Sequence, residues 1–261
     1  MARMMARLRT PLVTGAVLLV LAAATLAQRG GYGQTSRNPR YDGRFMFARI
    51  QYPCFGNCYY YRRLPSWAHG YPSAEENLMK IIDSITDLRP HVDNSVVVSL
   101  DDPDLFKYPV SYMTESSFWL MSDKDGQTLR AYLQKGGFII FDDFRNDFGR
   151  GSGGLPNLES NLQRAIPGAR LLPMDINHPI FHVFFDVTSF NIIPQAYDYG
   201  APVFLGLYED NDPHKRLMAI INFNTDISDF WEFTAQGWYP VDSANQAYKL
   251  GVNYIIYGMT H

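Results

Sequence analysis

The sequence predicts an α/β domain: a mostly parallel sheet with helices on both faces, three layers in all, closing on a hairpin and a helix. Three observations carry this. Short β-branched runs such as "SVVVSL" alternate with amphipathic stretches at helical spacing, which calls for parallel strands joined by crossover helices. The stretch "LRAYLQKGG" stops at Gly136-Gly137 and leads straight into "FIIFDD", a helix end followed by a strand. Farther on, "APVFLGLYE" and "KRLMAIINF" flank the polar "DNDPHK", the pattern of an antiparallel hairpin. At 261 residues and 46% hydrophobic, the chain is long and apolar enough for a packed core.

The elements follow in order. "MARMMARLRT" carries Arg3, Arg7 and Arg9 and no acid, and the apolar run Pro11 to Ala27 follows it, with Thr25 and Ala27 small enough to flank a cleavage point. This is the pattern of a secretory signal over residues 1–27. The alternative is a membrane anchor over residues 11–27, a run that is Ala-rich and at the short limit for spanning a bilayer. Loss of those three Arg moves the formal charge from −3 to −6. An acidic chain lacks the basic stripe that nucleic acid requires, so no nucleic-acid partner is expected. A membrane association is expected only if the segment stays uncleaved. Residues 28–43, polar and Gly-rich, read as a flexible linker, and residues 44–261 as a single domain.

"RFMFARIQY" suits the first strand. Cys54 and Cys58, the two cysteines, lie either side of "FGN" and can approach across a turn. Outside the cytoplasm such a pair is usually a disulfide. A zinc or redox role lacks the extra ligands or the two-residue spacing. "SAEENLMKIIDSITDL" opens on Ser73 and Glu76, a capping box, with Leu78, Ile81, Ile82, Ile85 and Leu88 on one face. "SVVVSLDD" and "YPVSYMT" supply two strands. Ser122 caps the next helix with Asp125 in its first turn, and Leu129, Tyr132 and Leu133 form its inner stripe. "LPNLESNLQRAI" repeats the logic with Leu155, Leu158, Leu162 and Ile166, and "ARLLPM" reads as a further strand. The last helix begins at Asp242 or Ser243 and packs through Ala247, Gly251, Tyr254 and Ile255.

In this order "LFKYPVSYMT", "LRAYLQKGGFIIFDD", "NHPIF" and "GVNYIIYGM" resemble the bacterial domain of unknown function 4159, over about residues 44–259. The resemblance implies a flavodoxin-like fold of the class I glutamine-amidotransferase type. It implies no reaction. The amidotransferase-like fold sets its catalytic Cys on a sharp strand-to-helix turn of the form G-x-C-x-G. Neither cysteine here follows a helix–Gly–Gly–strand unit, and no G-x-S-x-G elbow occurs. A working glutamine amidotransferase is not expected.

Open parallel sheets bind ligands beyond the carboxyl ends of their strands. There the sequence puts Asp101 and Asp102, Thr114 and Glu115, and Asp142 and Asp143, with Arg145 two residues on. One reading is a divalent-cation site on Asp142, Asp143 and Glu115, catalytic in hydrolysis if the metal activates a water. A second is a crevice for a small molecule, glycan or protein ligand, walled by Trp67, Trp119, Tyr52 and Tyr112. A third makes the acids ordinary turn and capping residues, with Arg145 neutralising Asp143. His178 and His182 in "NHPIFH" are four apart, but Pro179 restricts them to a first helical turn and the Glu of a zinc-protease motif is missing. If His178 joins the crevice, it is the candidate proton carrier. "GRGSGG" lacks the Lys-Ser/Thr ending of a phosphate loop, and "TDISDFWEF" mixes acids with aromatics as a platform or a partly buried loop. The expectation is an exported binding or interaction module at the cell envelope, with no cofactor unless a divalent cation. The alternative is a metal-dependent hydrolase with His178 as general base.

Overall fold

The computed structural model describes residues 38–55, 64–145, 154–192 and 201–261. Seven strands form one sheet: β1 (Ala48–Gln51), β2 (Val96–Ser99), β3 (Val110–Thr114), β4 (Phe138–Phe144), β5 (Leu171–Pro173), β6 (Val203–Tyr208) and β7 (Leu217–Phe223). Their order across the sheet is β2-β1-β3-β4-β7-β6-β5. The pairs from β2 through β7 are parallel, and β6 runs against both β7 and β5. The sheet is therefore mostly parallel with an antiparallel flank, as the sequence predicts, and its predicted hairpin is β6–β7.

Helices α1 (Ser73–Ile85), α4 (Ile227–Glu232) and α5 (Val241–Thr260) cover one face, where Leu78, Ile82, Trp231, Leu250 and Tyr254 meet Tyr112, Ile140 and Ile220 of the strands. Helices α2 (Asp123–Gln134) and α3 (Leu155–Ala165) cover the other, packing Leu129, Leu133, Leu158 and Leu162 on Ile50, Val98, Ile139 and Ile221. Alternate residues of each strand thus serve opposite cores, the consequence of a period of two in a doubly covered sheet. From Asn38 to His261 the chain is one compact unit. No helix among the described residues is long and apolar enough to cross a membrane.

The predicted caps divide. Ser122 Oγ accepts from Asp125 N while the Asp125 carboxylate accepts from Ser122 N, a complete capping box. Ser73 does not cap α1. Gly70 O already accepts from Ala74 N, so the helical turn begins earlier and Ser73 falls inside it. The last helix likewise starts one residue before the expected Asp242. After α2, Gly136 takes φ 103°, and a Cβ on Gly137 would stand 2.5 Å from the Tyr132 ring, so each glycine is needed for its own reason. The end of the expected linker is pinned: the Asn38 amide donates to Val97 O (2.7 Å) and its oxygen accepts from Val97 N (3.0 Å), satisfying the open edge of β2. Cys58 lies outside the described residues, and with it the expected disulfide.

Candidate functional site

The chain runs from β1 out to β2 and then back across β1 to β3, so the switch of direction falls between β1 and β3. Ligand crevices of open α/β sheets form at the carboxyl ends of strands beside such a point. A buried cluster of acids around one imidazole occupies that rim, on the face covered by α1, α4 and α5.

Its centre is His69, in the loop between β1 and α1. The ring Nδ1 lies 2.5 Å from Asp143 Oδ2 and 3.4 Å from Glu115 Oε1, and Nε2 lies 4.0 Å from Glu232 Oε2. Thr114 Oγ1 donates to the same Asp143 oxygen at 3.1 Å. Asp143 is 1% exposed, and its Oδ1 has no hydrogen-bond partner among the described residues. From the other side the N-terminus of α4 brings Asp226, 2% exposed, with Asp229 and Glu232 following. Single ligand atoms of His69, Asp143 and Asp226 lie within 4.8 Å of one another, and so do those of His69, Asp229 and Glu232.

The two adjacent aspartates of "FIIFDD" have different jobs. Asp142 accepts from Tyr112 OH (3.0 Å), the Asn222 amide (3.0 Å) and Ser228 N (3.2 Å), and Asn222 in turn accepts from Tyr254 OH (3.0 Å). It ties β3, β4, β7, α4 and α5 together and sets where α4 begins. Asp143 belongs to the imidazole. A regular pleat would send it to the opposite face from Asp142, but Asp143 has φ 56° and the β4–β7 register shifts between Phe141 and Phe144. The bulge turns its carboxylate back toward Thr114 and His69. The residue after β3, Glu115, is also left-handed (φ 46°, ψ 40°) and leads into a short 3₁₀ helix, Ser116–Phe118. This is a sharp strand-to-helix turn, and it presents a carboxylate.

Other buried groups hold the His69 loop. Arg49 on β1 is fully buried and pairs with Glu75 of α1, while its Nη1 donates to the carbonyls of Trp67 (3.0 Å) and His69 (2.8 Å). Tyr52 OH donates to the carbonyls of Thr114 (2.8 Å) and Glu115 (2.7 Å), fixing the turn. Asp226 receives Ser228 Oγ and Asp229 N, both at 2.9 Å and both on Oδ1.

The electrostatics follow from burial. Asp142 is pushed up to about 7, first by burial and then by the charge of Asp226, against its hydrogen bonds from Asn222, Tyr112 and Ser228. Burial and Asp226 also raise Asp143 well above the usual carboxylate range, with His69 opposing. Asp229 rises to about 6 for the same two reasons, and burial raises Glu232. Burial alone would lower His69, but the charge and hydrogen bond of Asp143, with Glu115 and Asp226, outweigh it and raise the ring above the ordinary imidazole value. For Asp142, Asp143 and Asp229 burial comes first and the charge of neighbouring carboxylates second.

Of the residues expected at the rim, the structure brings together Thr114, Glu115, Asp142 and Asp143. Asp101 and Asp102 stay apart at the edge strand β2. Asp101 is exposed between Ser99 Oγ and Lys124, and Asp102 caps a 3₁₀ turn through Asp104 N. Their roles are those of turn residues. Arg145 follows β4, and its carbonyl accepts from Ser117 Oγ; the partner seen on Asp143 is His69. His178 is remote from the cluster. Its ring packs on Tyr208 and Tyr257, its Nδ1 accepts from Ile180 N, and burial lowers its pKa. The expected general base therefore cannot serve this rim. His182 pairs with Asp186. Tyr52 and Tyr112 touch the cluster through their hydroxyls, whereas Trp119 packs on Phe141 across the sheet and Trp67 is partly buried beside it. Of "GRGSGG", all but Gly154 lies outside the described residues; "TDISDFWEF" is α4 and its cap.

Sequence reasoning missed His69, Asp226, Asp229 and Glu232. The acid-aromatic mixture of residues 225–233 was a usable signal; "SWAHGYPS" offered only a lone His among turn residues. One family model, described as a domain of unknown function (DUF4159), matches residues 46–259, and the chain belongs to that family. No curated protein is significantly similar to it.

Proposed function

We propose that this member of the DUF4159 family is an exported binding protein whose rim site accepts a positively charged ligand group. One observation carries the reading. Among the described residues, Asp143, Asp226, Asp229 and Glu232 are set against the basic groups His69 and Arg49, and Arg49 is already committed to Glu75. Carboxylates in excess, with Asp143 and Asp226 fully buried, are costly to a fold, and perturbed acids gathered in this way are enriched at functional sites. A cation entering the cluster relieves the repulsion and is held by it.

The test is thermal denaturation of chelator-treated protein with a panel of divalent cations, alkylamines and neutral sugars at millimolar concentration. A cation should raise the melting temperature of the wild type through linkage and leave Asp143→Asn unmoved. Stabilisation by neutral sugars alone, equal in both proteins, would sink the reading. Export is tested separately: mature protein recovered outside the cytoplasm should begin at Gln28.

A second reading, hydrolysis, is favoured by Glu115. It stands 3.4 Å from His69 on a left-handed turn, with its side chain 26% exposed. A carboxylate that water reaches beside a buried cluster is placed to take a proton from a water molecule. Turnover of activated esters or phosphoesters, lost in Glu115→Gln, is the corresponding assay.

A further inference from the structure

We propose that the cation is a divalent transition-metal ion, of the Zn²⁺ or Mn²⁺ type, held by His69, Asp143 and Asp226. The inference rests on the cation-accepting reading above and narrows it to a ligand set.

The three side chains are more than nine-tenths buried, and each offers one atom within 4.8 Å of the others. Metal–ligand bonds of about 2.0–2.2 Å put neighbouring donors roughly 3–4 Å apart. Small side-chain rotations therefore close the triad on an ion. The arrangement around the donors points the same way. Asp143 Oδ2 is occupied by His69 and Thr114, while Oδ1 is buried with no partner among the described residues. A buried carboxylate oxygen left bare is expensive unless something charged completes it.

Hydrogen bonds that aim ligands are the second half of a metal site, and these are present. Thr114 orients Asp143, and Ser228 Oγ with Asp229 N orients Asp226. Arg49, through the His69 carbonyl, fixes the loop that carries the ring. One imidazole with two carboxylates is a mixed nitrogen–oxygen set. Ca²⁺ and Mg²⁺ prefer oxygen alone, so the imidazole selects a transition ion. Three protein ligands leave coordination positions for water or a substrate oxygen, with Glu115 and Glu232 alongside.

The experiment is equilibrium dialysis of the chelator-stripped mature chain against Zn²⁺ or Mn²⁺, with metal counted by mass spectrometry. In parallel, the His69 imidazole resonance is followed during Zn²⁺ titration of the wild type, which needs no variant to fold. Expected are one equivalent of metal, a shifted His69 resonance, and affinity weakened at least 100-fold in Asp143→Asn and in Asp226→Asn, with Asp101→Asn, at the far edge strand, within about threefold of wild type. Circular dichroism verifies that each variant is folded. Metal uptake that persists in both Asn variants, or leaves the His69 resonance in place, overturns the proposal. So does loss of binding in Glu232→Gln with Asp226→Asn unaffected, which would assign the ion to His69, Asp229 and Glu232. No metal uptake, with methylammonium still stabilising wild type and not Asp143→Asn, overturns the metal but keeps the cation-accepting site. Failure of metal and amine alike overturns both.

Discussion

Asp142 sets two physical effects against each other, and pH decides between them. Its three donors, Tyr112 OH, Asn222 and Ser228 N, favour the anion. Burial and the neighbouring Asp226 oppose it and prevail, so the group titrates at about 7 instead of 3.8. In the unfolded chain it is ionised above its ordinary value. Between that value and 7 the folded protein therefore holds a proton that unfolding releases, and stability falls as pH rises. One proton is worth about 1.4 kcal/mol per pH unit. Raising the pH from 5 to 7 thus removes roughly 2–3 kcal/mol through this residue, a large share of a typical stability of about 5–15 kcal/mol. The assay is urea denaturation at pH 5, 6 and 7, with chelator present, on wild type and Asp142→Asn. Asn cannot ionise, so its midpoint should fall less steeply by that amount. His69, Asp143, Asp229 and Glu232 change stability in the same direction in both proteins and drop out of the difference to first order. Parallel slopes would refute the argument. A wild-type slope that rises relative to the variant would mean the donors outweigh burial.

Three further outcomes are expected. Arg49→Met strands the Glu75 carboxylate in the core and should cost about 3–5 kcal/mol by urea denaturation; adding Glu75→Gln should restore part of this, and additive losses would show that the two groups do not interact. Gly251→Ala places a Cβ 2.6 Å from the Trp231 ring and 3.0 Å from Leu78. The crowding, about 1–3 kcal/mol, should exceed the roughly 1 kcal/mol that Ala adds to helix propensity, so the variant melts lower, and a higher melting temperature would contradict the packing. Gly137→Ala meets the Tyr132 ring at 2.5 Å and should likewise melt lower, with the Tyr132 hydroxyl losing its bond to Tyr108 O.

The sheet was legible because its physics is local. β-branched runs, a Gly-Gly stop and the Ser122–Asp125 box each act within a few residues, and their order dictates parallel pairing. Ser73 failed as a cap because the turn at Gly70 already supplied a carbonyl to the helix, a fact no short pattern encodes. Half of the site was legible for the same reason: Thr114, Glu115, Asp142 and Asp143 end strands whose direction the pattern sets. The other half comes from segments distant in sequence. His69 reaches the rim because Arg49 holds its loop by two carbonyls, and Asp226 because Asp142 fixes the start of α4. Neither tether has a sequence period. Asp101 and Asp102 met the same strand-end criterion and stand apart only because β2 lies at the sheet edge, a matter of strand order. His178 was chosen for its chemistry and lies with the aromatic side chains of Tyr208 and Tyr257 instead.

The kink at Asp143 makes the capacity of this rim separable from the survival of the sheet. Straightening β4 there would keep every strand paired and both cores filled, yet would swing one carboxylate away from the imidazole. In this chain, then, the torsion of a single residue, more than the presence of two acids side by side, brings a carboxylate to the imidazole.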